Sequence, residues 1–299
     1  MHIKLLKNIL TACGIVLSAV LLKQFCYSKT DGFALYKICS SLSFHPEWET
    51  HSIPDHEQEL LQILDQPFYY LAKGAQSYVF ASADGQTVIK FFRLYHLMPP
   101  TWLTSLSFPL PLMPYKLRKI IDKRQELSKD FDSYKIAFEE MKEETGLLYL
   151  HLNKTAHLKK QLKIYDKIGI AYKLNLDQME FLVQKKAVLV YPSIELLMKS
   201  QGEGAAKEAI SALVQLLLQR SKKGIFDKDP DLNTNFGFLN KTPVQIDIGR
   251  FRMQDEQKSP EVYRDEIIRI TDNMRQWLDR NYPPLSEHLI KEIQQIPII

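Results

Sequence analysis

Cysteine is scarce in this chain and confined to its start. Only Cys13, Cys26 and Cys39 occur in 299 residues. Their odd number and the lack of a Cys-x-x-Cys pair exclude a disulfide framework and a cysteine-based four-ligand zinc site. We therefore expect the rest of the chain to be stable without cross-links.

An excess of one charge is also lacking. The chain carries 39 basic and 35 acidic residues, a net charge of +4, and the basic residues form no single arm. This pattern gives no support for a nucleic-acid partner. A hydrophobic content of 45% and a charged content of 25% are typical of a globular protein. The length fits one large domain or two lobes that share a cleft.

Charge is absent from one run near the N-terminus, Asn8 to Leu22, which lies between Lys7 and Lys23. It is shorter than the roughly 20 residues of a comfortable membrane span. The run favours an uncleaved signal anchor within residues 1–28, so we predict a membrane-associated protein of unassigned orientation. A cleaved signal peptide with its cleavage region at 26–28, or a buried helix, are the alternatives.

Residues 29–67 are typical of a connector that contains a helix, at 55–66. Short apolar segments at 68–71, 78–81 and 87–92, with Asp84-Gly85 between the last two, predict strands and a β-hairpin. Further along, the pattern predicts helices at 130–152 and 205–222 and strand-like segments at 161–173 and 179–191.

An apolar, proline-rich insertion occupies residues 94–115, and a basic segment follows it at once. Its prolines exclude a membrane-spanning helix. Apolar residues followed by lysine and arginine fit an interfacial membrane contact over 94–124. An irregular insertion packed on the protein body explains the pattern equally well.

Two segments carry groups suited to phosphate chemistry. The turn at 74–79 leads into a strand that ends at Lys90, and a lysine between buried positions needs an anionic partner. A simple hairpin turn is the alternative for 74–79. Asn235 precedes Asp247 by 12 residues across a hairpin with its turn near 240–243, a spacing that brings two metal ligands side by side. The aspartates at 227–231 do not fit an EF-hand loop, because Leu232 replaces its glycine.

In this order, the segments resemble the protein-kinase-like superfamily over residues 68–290. Residues 72–79 are similar to its glycine-rich loop and keep the central glycine, Gly74. Val88-Ile89-Lys90 is similar to the VAIK strand, and Asp247-Ile248-Gly249 to the DFG motif, with Ile248 in place of phenylalanine.

The resemblance implies an α+β, bilobal fold that follows the N-terminal hydrophobic helix. It implies an antiparallel N-lobe sheet within 68–190 and a short, mainly helical C-lobe over 191–299. ATP and Mg²⁺ are the implied cofactors, and a hydroxyl-bearing molecule is the implied acceptor. The implied site residues are Lys90 with Glu144 or Glu140 as its partner, the loop residues Gly74, Ala75, Gln76, Ser77 and Val79, Asp229 or Asp227 as catalytic aspartate, and Asn235 and Asp247 on the metal.

The sequence also departs from classical kinases. Ile225-Phe226-Asp227 or Asp227-Lys228-Asp229 stands where they have His-Arg-Asp, no Ala-Pro-Glu occurs, and only 52 residues follow Asp247. The short end resembles small-molecule, lipopolysaccharide-core and other atypical kinases. We expect a phosphotransferase that moves the ATP γ-phosphate to a hydroxyl. A pseudokinase acting as a nucleotide-binding or scaffold module is the alternative; coincidental motifs would leave Lys90 and Asp247 far apart.

Overall fold

The apolar N-terminal run lies in one long helix, α1 (His2–Thr30), in the computed structural model, which describes residues 2–50, 54–99, 101–105 and 110–297. Its stretch Leu10–Thr30 is long and apolar enough to cross a membrane, a test that signal sequences and buried core helices also pass. None of that stretch is buried against the rest of the protein. The helix is thus longer than the predicted uncharged run.

A left-handed turn joins α1 to the first lobe. Asp31 and Gly32 both have positive φ, 50° and 69°. A Cβ on Gly32 would overlap the ring of Tyr27, so this position requires glycine. Phe33 follows and packs edge-on against the rings of Tyr78, Phe80 and Tyr172 in the lobe core.

The first lobe is built on a seven-stranded sheet with the strand order β4-β7-β3-β2-β1-β5-β6. All neighbours pair antiparallel except β1 and β5, which are parallel. The predicted strand at 161–173 is two strands, because Gly169 turns the chain with φ 86°. The strands are β1 (Phe68–Lys73), β2 (Ser77–Ser82), β3 (Thr87–Phe92), β4 (Leu147–His151), β5 (Gln161–Tyr165), β6 (Ala171–Asn175) and β7 (Phe181–Lys185).

Among the described residues, five α-helices after α1 belong to this part of the chain. The insertion contributes buried Leu94 and Leu103, while its residues 100 and 106–109 lie outside the described residues. The prediction of a helix over 130–152 is wrong at its end, since Gly146 (φ 64°) stops the helical path and 147–151 forms β4. The helices are α2 (Pro54–Ile63), α3 (Leu94–Leu97), α4 (Thr101–Ser105), α5 (Met113–Glu140) and α6 (Lys142–Thr145).

The second lobe is mainly helical. One small sheet has the order β11-β10-β8, and a second pairs β12 with β9. The predicted strand 179–191 splits, because 188–189 joins the second-lobe sheet and a helix starts at Val190. The elements are β8 (Val188–Leu189), α7 (Val190–Ser200), α8 (Glu203–Lys222), β9 (Ile225–Asp227), β10 (Phe236–Leu239), β11 (Thr242–Gln245), β12 (Phe251–Met253), α9 (Pro260–Asn281) and α10 (Pro283–Gln294).

The second lobe has its own core, in which α8 is central. Ile210, Leu213, Val214 and Leu217 of this helix are almost fully buried, and the helix contacts α7, α9 and α10. A sheet-based lobe and a mainly helical lobe thus follow an apolar N-terminal helix. The predicted α+β, bilobal fold class is confirmed, with one parallel strand pair in a sheet expected to be antiparallel.

Candidate functional site

A cleft of about 680 Å³ lies where the two lobes meet. Most of the predicted site residues line it, although they come from four separate segments. Asp227, Asp229 and Glu144 are not among its lining residues. The predicted residues that do line it are Gly74, Ala75, Gln76, Ser77, Val79, Lys90, Asn235 and Asp247. Lys90 and Asp247 are therefore not far apart, contrary to what coincidental motifs would give.

The cleft has apolar walls at one end. Val79 and Val88 line it from the first lobe, and Leu189 and Ile246 from the second. Ligand pockets typically have volumes of roughly 300–1,000 Å³ and mostly apolar linings, so the cleft has the size and lining of a small-molecule site.

The connection between the lobes, residues 185–187, also lines the cleft. The neighbouring strand β10 approaches this connection closely at Gly237, where a Cβ would lie 2.6 Å from the carbonyl oxygen of Val188 and 3.0 Å from Cβ of Ala187. Residues 185–187 were not predicted as part of the site, since Lys185-Lys186-Ala187 has no distinctive pattern.

Lys90 lies near the end of β3 and reaches across the cleft. Its Nζ donates a hydrogen bond of 2.6 Å to the carbonyl oxygen of Ile246. Burial lowers the pKa of Lys90, and the carboxylate of Asp247 acts in the opposite direction. The lysine thus sits next to the segment 246–249, with one second-lobe oxygen as its hydrogen-bond acceptor.

The structure does not bring Glu144, the predicted partner, to Lys90. Its carboxylate pairs with Lys223 at 2.6 Å, and Glu140 gives only its backbone oxygen to the same lysine. The physical reason is the break of the helix at Met141, which places Glu144 on the short α6. Neither glutamate lines the cleft.

The helix that does reach the cleft is α5. Ser133 Oγ donates to the carbonyl oxygen of Ile248 and accepts from the backbone N–H of Phe251, both at 2.6 Å. The next residue, Tyr134, lines the cleft, and the nearby carboxylates of Asp247 and Asp130 add to burial in raising its pKa. The helical pattern of the sequence did not predict these contacts, since a serine in an amphipathic helix carries no sign of a partner far away in the chain.

The side chain of Gln76 connects the tip of the first hairpin to the segment 246–249. Its Nε2 donates to the carbonyl oxygen of Gly249 at 3.2 Å, and its Oε1 accepts from the Tyr134 hydroxyl at 2.9 Å. A Cβ on Gly249 would overlap the Gln76 side chain. The hairpin tip is therefore held against this segment, and the contact needs a glycine at position 249.

Asn235 and Asp247 are neighbours, as the hairpin spacing predicts. The carbonyl oxygen of Asn235 accepts from the N–H groups of Ile246 (2.8 Å) and Asp247 (3.2 Å). The Asn235 amide nitrogen donates to the carbonyl oxygen of Asp229 at 2.6 Å, and its Oδ1 accepts from the Thr234 hydroxyl at 3.0 Å, which leaves the second lone pair of Oδ1 for a cation. Asp247 is exposed and its carboxylate accepts only the N–H of Gly249 among the described residues.

These two side chains fit a magnesium ion that is shared with a bound phosphate. Carboxylate and amide oxygens are suitable ligands, and Mg²⁺ in phosphate-transfer sites takes one or two protein oxygens plus water and phosphate. Within the described part of the chain, no group of three His, Cys, Asp or Glu side chains could hold a metal on its own.

The two candidate catalytic aspartates differ in environment. Asp227 is 1% exposed, and Arg220 lies 3.6 Å from its carboxylate. Burial raises the Asp227 pKa, while Arg220 acts against it. Its other oxygen accepts the N–H of Asp229 at 3.0 Å, and Asp229 itself is exposed. Asp227 therefore fits a structural part, and only Asp229 is accessible to an acceptor.

No known protein family matches this chain, and no curated protein matches it. A crystal structure of WbdD covers 76% of this chain and 46% of that one, at 15% identity and a TM-score of 0.37. A structure of the bifunctional kinase-methyltransferase WbdD matches over 74% of this chain and 43% of that one, with 15% identity and a TM-score of 0.33. The structure of the Rv3197–erythromycin complex from Mycobacterium tuberculosis matches over 95% of this chain and 75% of that one, with 14% identity and a TM-score of 0.31. This chain spans under half the length of the WbdD chains, and all three TM-scores lie below 0.5.

A sheet-based lobe and a mainly helical lobe enclose the cleft. Lys90 of β3 contacts the segment 246–249 from the first lobe, and Ser133 of α5 contacts the same segment. This bilobal α+β arrangement is the fold class that the resemblance to the protein-kinase-like superfamily predicts.

Proposed function

We propose that this protein binds Mg-ATP in the cleft between its lobes and transfers the γ-phosphate to a hydroxyl group. The observation that carries the proposal is the convergence of Lys90, Asn235, Asp247 and the hairpin turn 74–79 on one cleft. A cation, two oxygen ligands and backbone N–H groups are what a bound triphosphate needs.

Each residue has a part in the proposed reaction. Lys90 exchanges the carbonyl oxygen of Ile246 for the α- and β-phosphates. Asn235 and Asp247 hold the magnesium ion, which neutralises charge on the phosphates. Asp229 accepts the proton of the acceptor hydroxyl as the hydroxyl oxygen bonds to the γ-phosphorus. The bond from phosphorus to the β–γ bridging oxygen breaks, and ADP leaves.

We also propose that α1 is an uncleaved membrane anchor. Its last turn and the residues after it are part of the first lobe: Asp31 pairs with Lys167 at 2.8 Å and accepts the Tyr70 hydroxyl at 2.8 Å, and the carbonyl of Gly32 accepts the Tyr78 hydroxyl at 2.8 Å. Residues 26–28 lie inside the helix, whereas a cleavage region needs an accessible chain.

The segment 94–124 is the second proposed membrane contact. Leu112, just before α5, and Tyr115, Leu117 and Ile121 in its first turns are each about half exposed. Lysine and arginine alternate with them at 116, 118, 119, 123 and 124. Apolar side chains beside basic ones suit the headgroup region of an anionic membrane. The acceptor is then a membrane-proximal molecule.

The nucleotide proposal is tested by thermal unfolding of the full chain in detergent, with and without Mg-ATP. A ligand at 100 times its dissociation constant stabilises by about 2.7 kcal/mol. Asp247→Ala should lose this stabilisation and all phosphate transfer. Asp265→Ala, an exposed change on α9, is the matched control and should behave as wild type. An unchanged Mg-ATP response in Asp247→Ala would contradict the proposal.

A nucleotide-binding module without turnover is the second candidate. It is favoured by Lys90, which has no carboxylate within salt-bridge distance among the described residues, and by Gln76, which holds the hairpin tip on Gly249. This candidate predicts stabilisation by Mg-ATP together with no release of ADP. Measured ADP release that depends on Asp229 would exclude it.

A further inference from the structure

A second cavity, of about 400 Å³, lies next to the nucleotide cleft and is not used by the proposed nucleotide site. The residues Ala75 and Gln76 line both, so the tip of the first hairpin separates them. Two carboxylates, Glu126 and Asp130, line the second cavity. Its basic lining residues are Arg93, Lys123, Lys129, Lys228, Arg250 and Arg252.

The position of this cavity relates it to the transfer step. Lys228 directly precedes Asp229, and Arg250 directly follows Gly249. Strands β9 and β12 pair with Asp227 opposite Phe251, and the N–H of Lys228 donates to the carbonyl oxygen of Arg250 at 3.4 Å. The cavity is therefore lined by Lys228, the sequence neighbour of the candidate catalytic aspartate Asp229, and by Arg250, which lies beside Lys228.

Some of its positive charges already have partners. Lys123 pairs with Glu126 at 2.7 Å. Arg93 donates to the carbonyl oxygens of Gly74 and Ala75 at 3.0 and 2.8 Å. Arg252 donates to the carbonyl oxygen of Lys129 at 2.9 Å. These contacts hold the side chains in the cavity wall. Of them, only the ion pair between Lys123 and Glu126 neutralises a positive charge.

Three positive side chains remain. Within the described residues, the side chains of Lys129, Lys228 and Arg250 form no hydrogen bond or ion pair. Asp130, which is 6% exposed, offsets part of their charge, since Arg250 and Arg252 lower its pKa against the effect of burial. The cavity keeps a positive excess, and confined positive charge raises the local concentration of anions.

We propose that this cavity binds a phosphate group of the acceptor molecule and so presents the acceptor hydroxyl to Asp229. The inference rests on the proposed phosphotransfer and names the acceptor class, a phosphorylated compound. Three side chains without partners match the charge of about −1.5 to −2 on a phosphate better than that of a carboxylate. The planar fork of Arg250 also suits two phosphate oxygens at once.

Calorimetric titration of inorganic phosphate into the full chain, at constant ionic strength, tests this site. Charged hydrogen bonds of this kind predict at least about tenfold weaker binding for Lys228→Gln combined with Arg250→Gln. Lys199→Gln, which removes an exposed lysine of α7, is the matched control and should bind as wild type. Lys228→Gln alone, an exposed change, should weaken binding if the double variant does not fold.

Lys90→Gln separates this inference from the nucleotide proposal. Phosphate binding that is lost in Lys90→Gln and kept in the double variant would place the anion in the nucleotide cleft and overturn the inference. Absence of phosphate binding to the wild type, or equally tight binding of acetate, would also overturn it. Mg-ATP binding measured on the same samples reports on the nucleotide proposal independently.

Discussion

The buried pair Arg220–Asp227 allows a quantitative test of how the segment 227–229, which carries the candidate catalytic aspartate Asp229, is held. Arg220 on α8 and Asp227 on β9 are each 1% exposed. Their charged atoms are 3.6 Å apart. Gln245 bridges them, accepting from Arg220 at 2.8 Å and donating to Asp227 at 2.5 Å. Two charges at this distance attract by about 5 kcal/mol at an effective dielectric constant near 20.

Removing one partner leaves the other charge buried and unpaired. We expect Arg220→Met to lower the free energy of unfolding by about 3–5 kcal/mol, since desolvated carboxylates without a partner are costly. The double variant Arg220→Met with Asp227→Asn carries no buried charge. Its cost should be smaller than the sum of the single costs by at least about 2 kcal/mol.

The assay is urea unfolding followed by circular dichroism. Arg275→Met is the control, because Arg275 forms solvent-accessible pairs with Asp272 and Asp279 on α9 and such pairs contribute little to stability. A cost below about 1 kcal/mol for Arg220→Met, or additive single costs, would refute the argument that this pair holds the segment 227–229.

Three further predictions concern the hairpin tip and pH. Gln76→Ala removes the hydrogen bonds that join the hairpin tip to Gly249 and to Tyr134, so Mg-ATP affinity should rise about fivefold by calorimetry; weaker binding would show that the side chain helps to hold the nucleotide. Burial raises the Asp130 pKa to about 6 from an ordinary 3.8, so its ionisation costs stability above pH 6 and the cost disappears towards pH 4. Asp130→Asn should therefore raise the free energy of unfolding at pH 7.5 by up to about 3 kcal/mol and have no effect near pH 4; equal effects at both would contradict this. Burial lowers the His151 pKa to about 4 from 6.5, so the native state loses stability as pH falls from 6.5 to 4, and His151→Gln should flatten that loss by up to about 1.4 kcal/mol per pH unit in urea unfolding.

Local patterns predicted the parts of the site that lie close together in sequence. Alternating apolar residues and Asp84-Gly85 define the hairpin that carries Val79 and Lys90 opposite each other. A second hairpin sets Asn235 beside Asp247. In both cases strand pairing fixes the geometry, and strand pairing across a short turn is a local property.

Contacts that depend on packing between distant segments could not be predicted from the sequence. Glu144 was assigned to Lys90 from its place before an apolar segment, but the break at Met141 turns it towards Lys223. Tyr134 reaches the cleft because Ser133 fixes α5 to the segment 246–249, a contact over 115 positions. No pattern in the sequence of α5 or of the segment 246–249 predicts that the two are in contact.

Periodicity and turn residues act over a few positions, so the N-terminal apolar helix and the hairpins that carry Lys90, Asn235 and Asp247 could be predicted from the sequence, and the bilobal fold class followed from the resemblance to a known superfamily. Other features are visible only in the folded chain: Tyr134 of α5 lines the cleft, Gln76 contacts Gly249, Asp227 is buried while Asp229 is exposed, and basic residues between 93 and 252 line one cavity. These depend on how helices pack on sheets, where side chains far apart in sequence compete for the same space and the same partners.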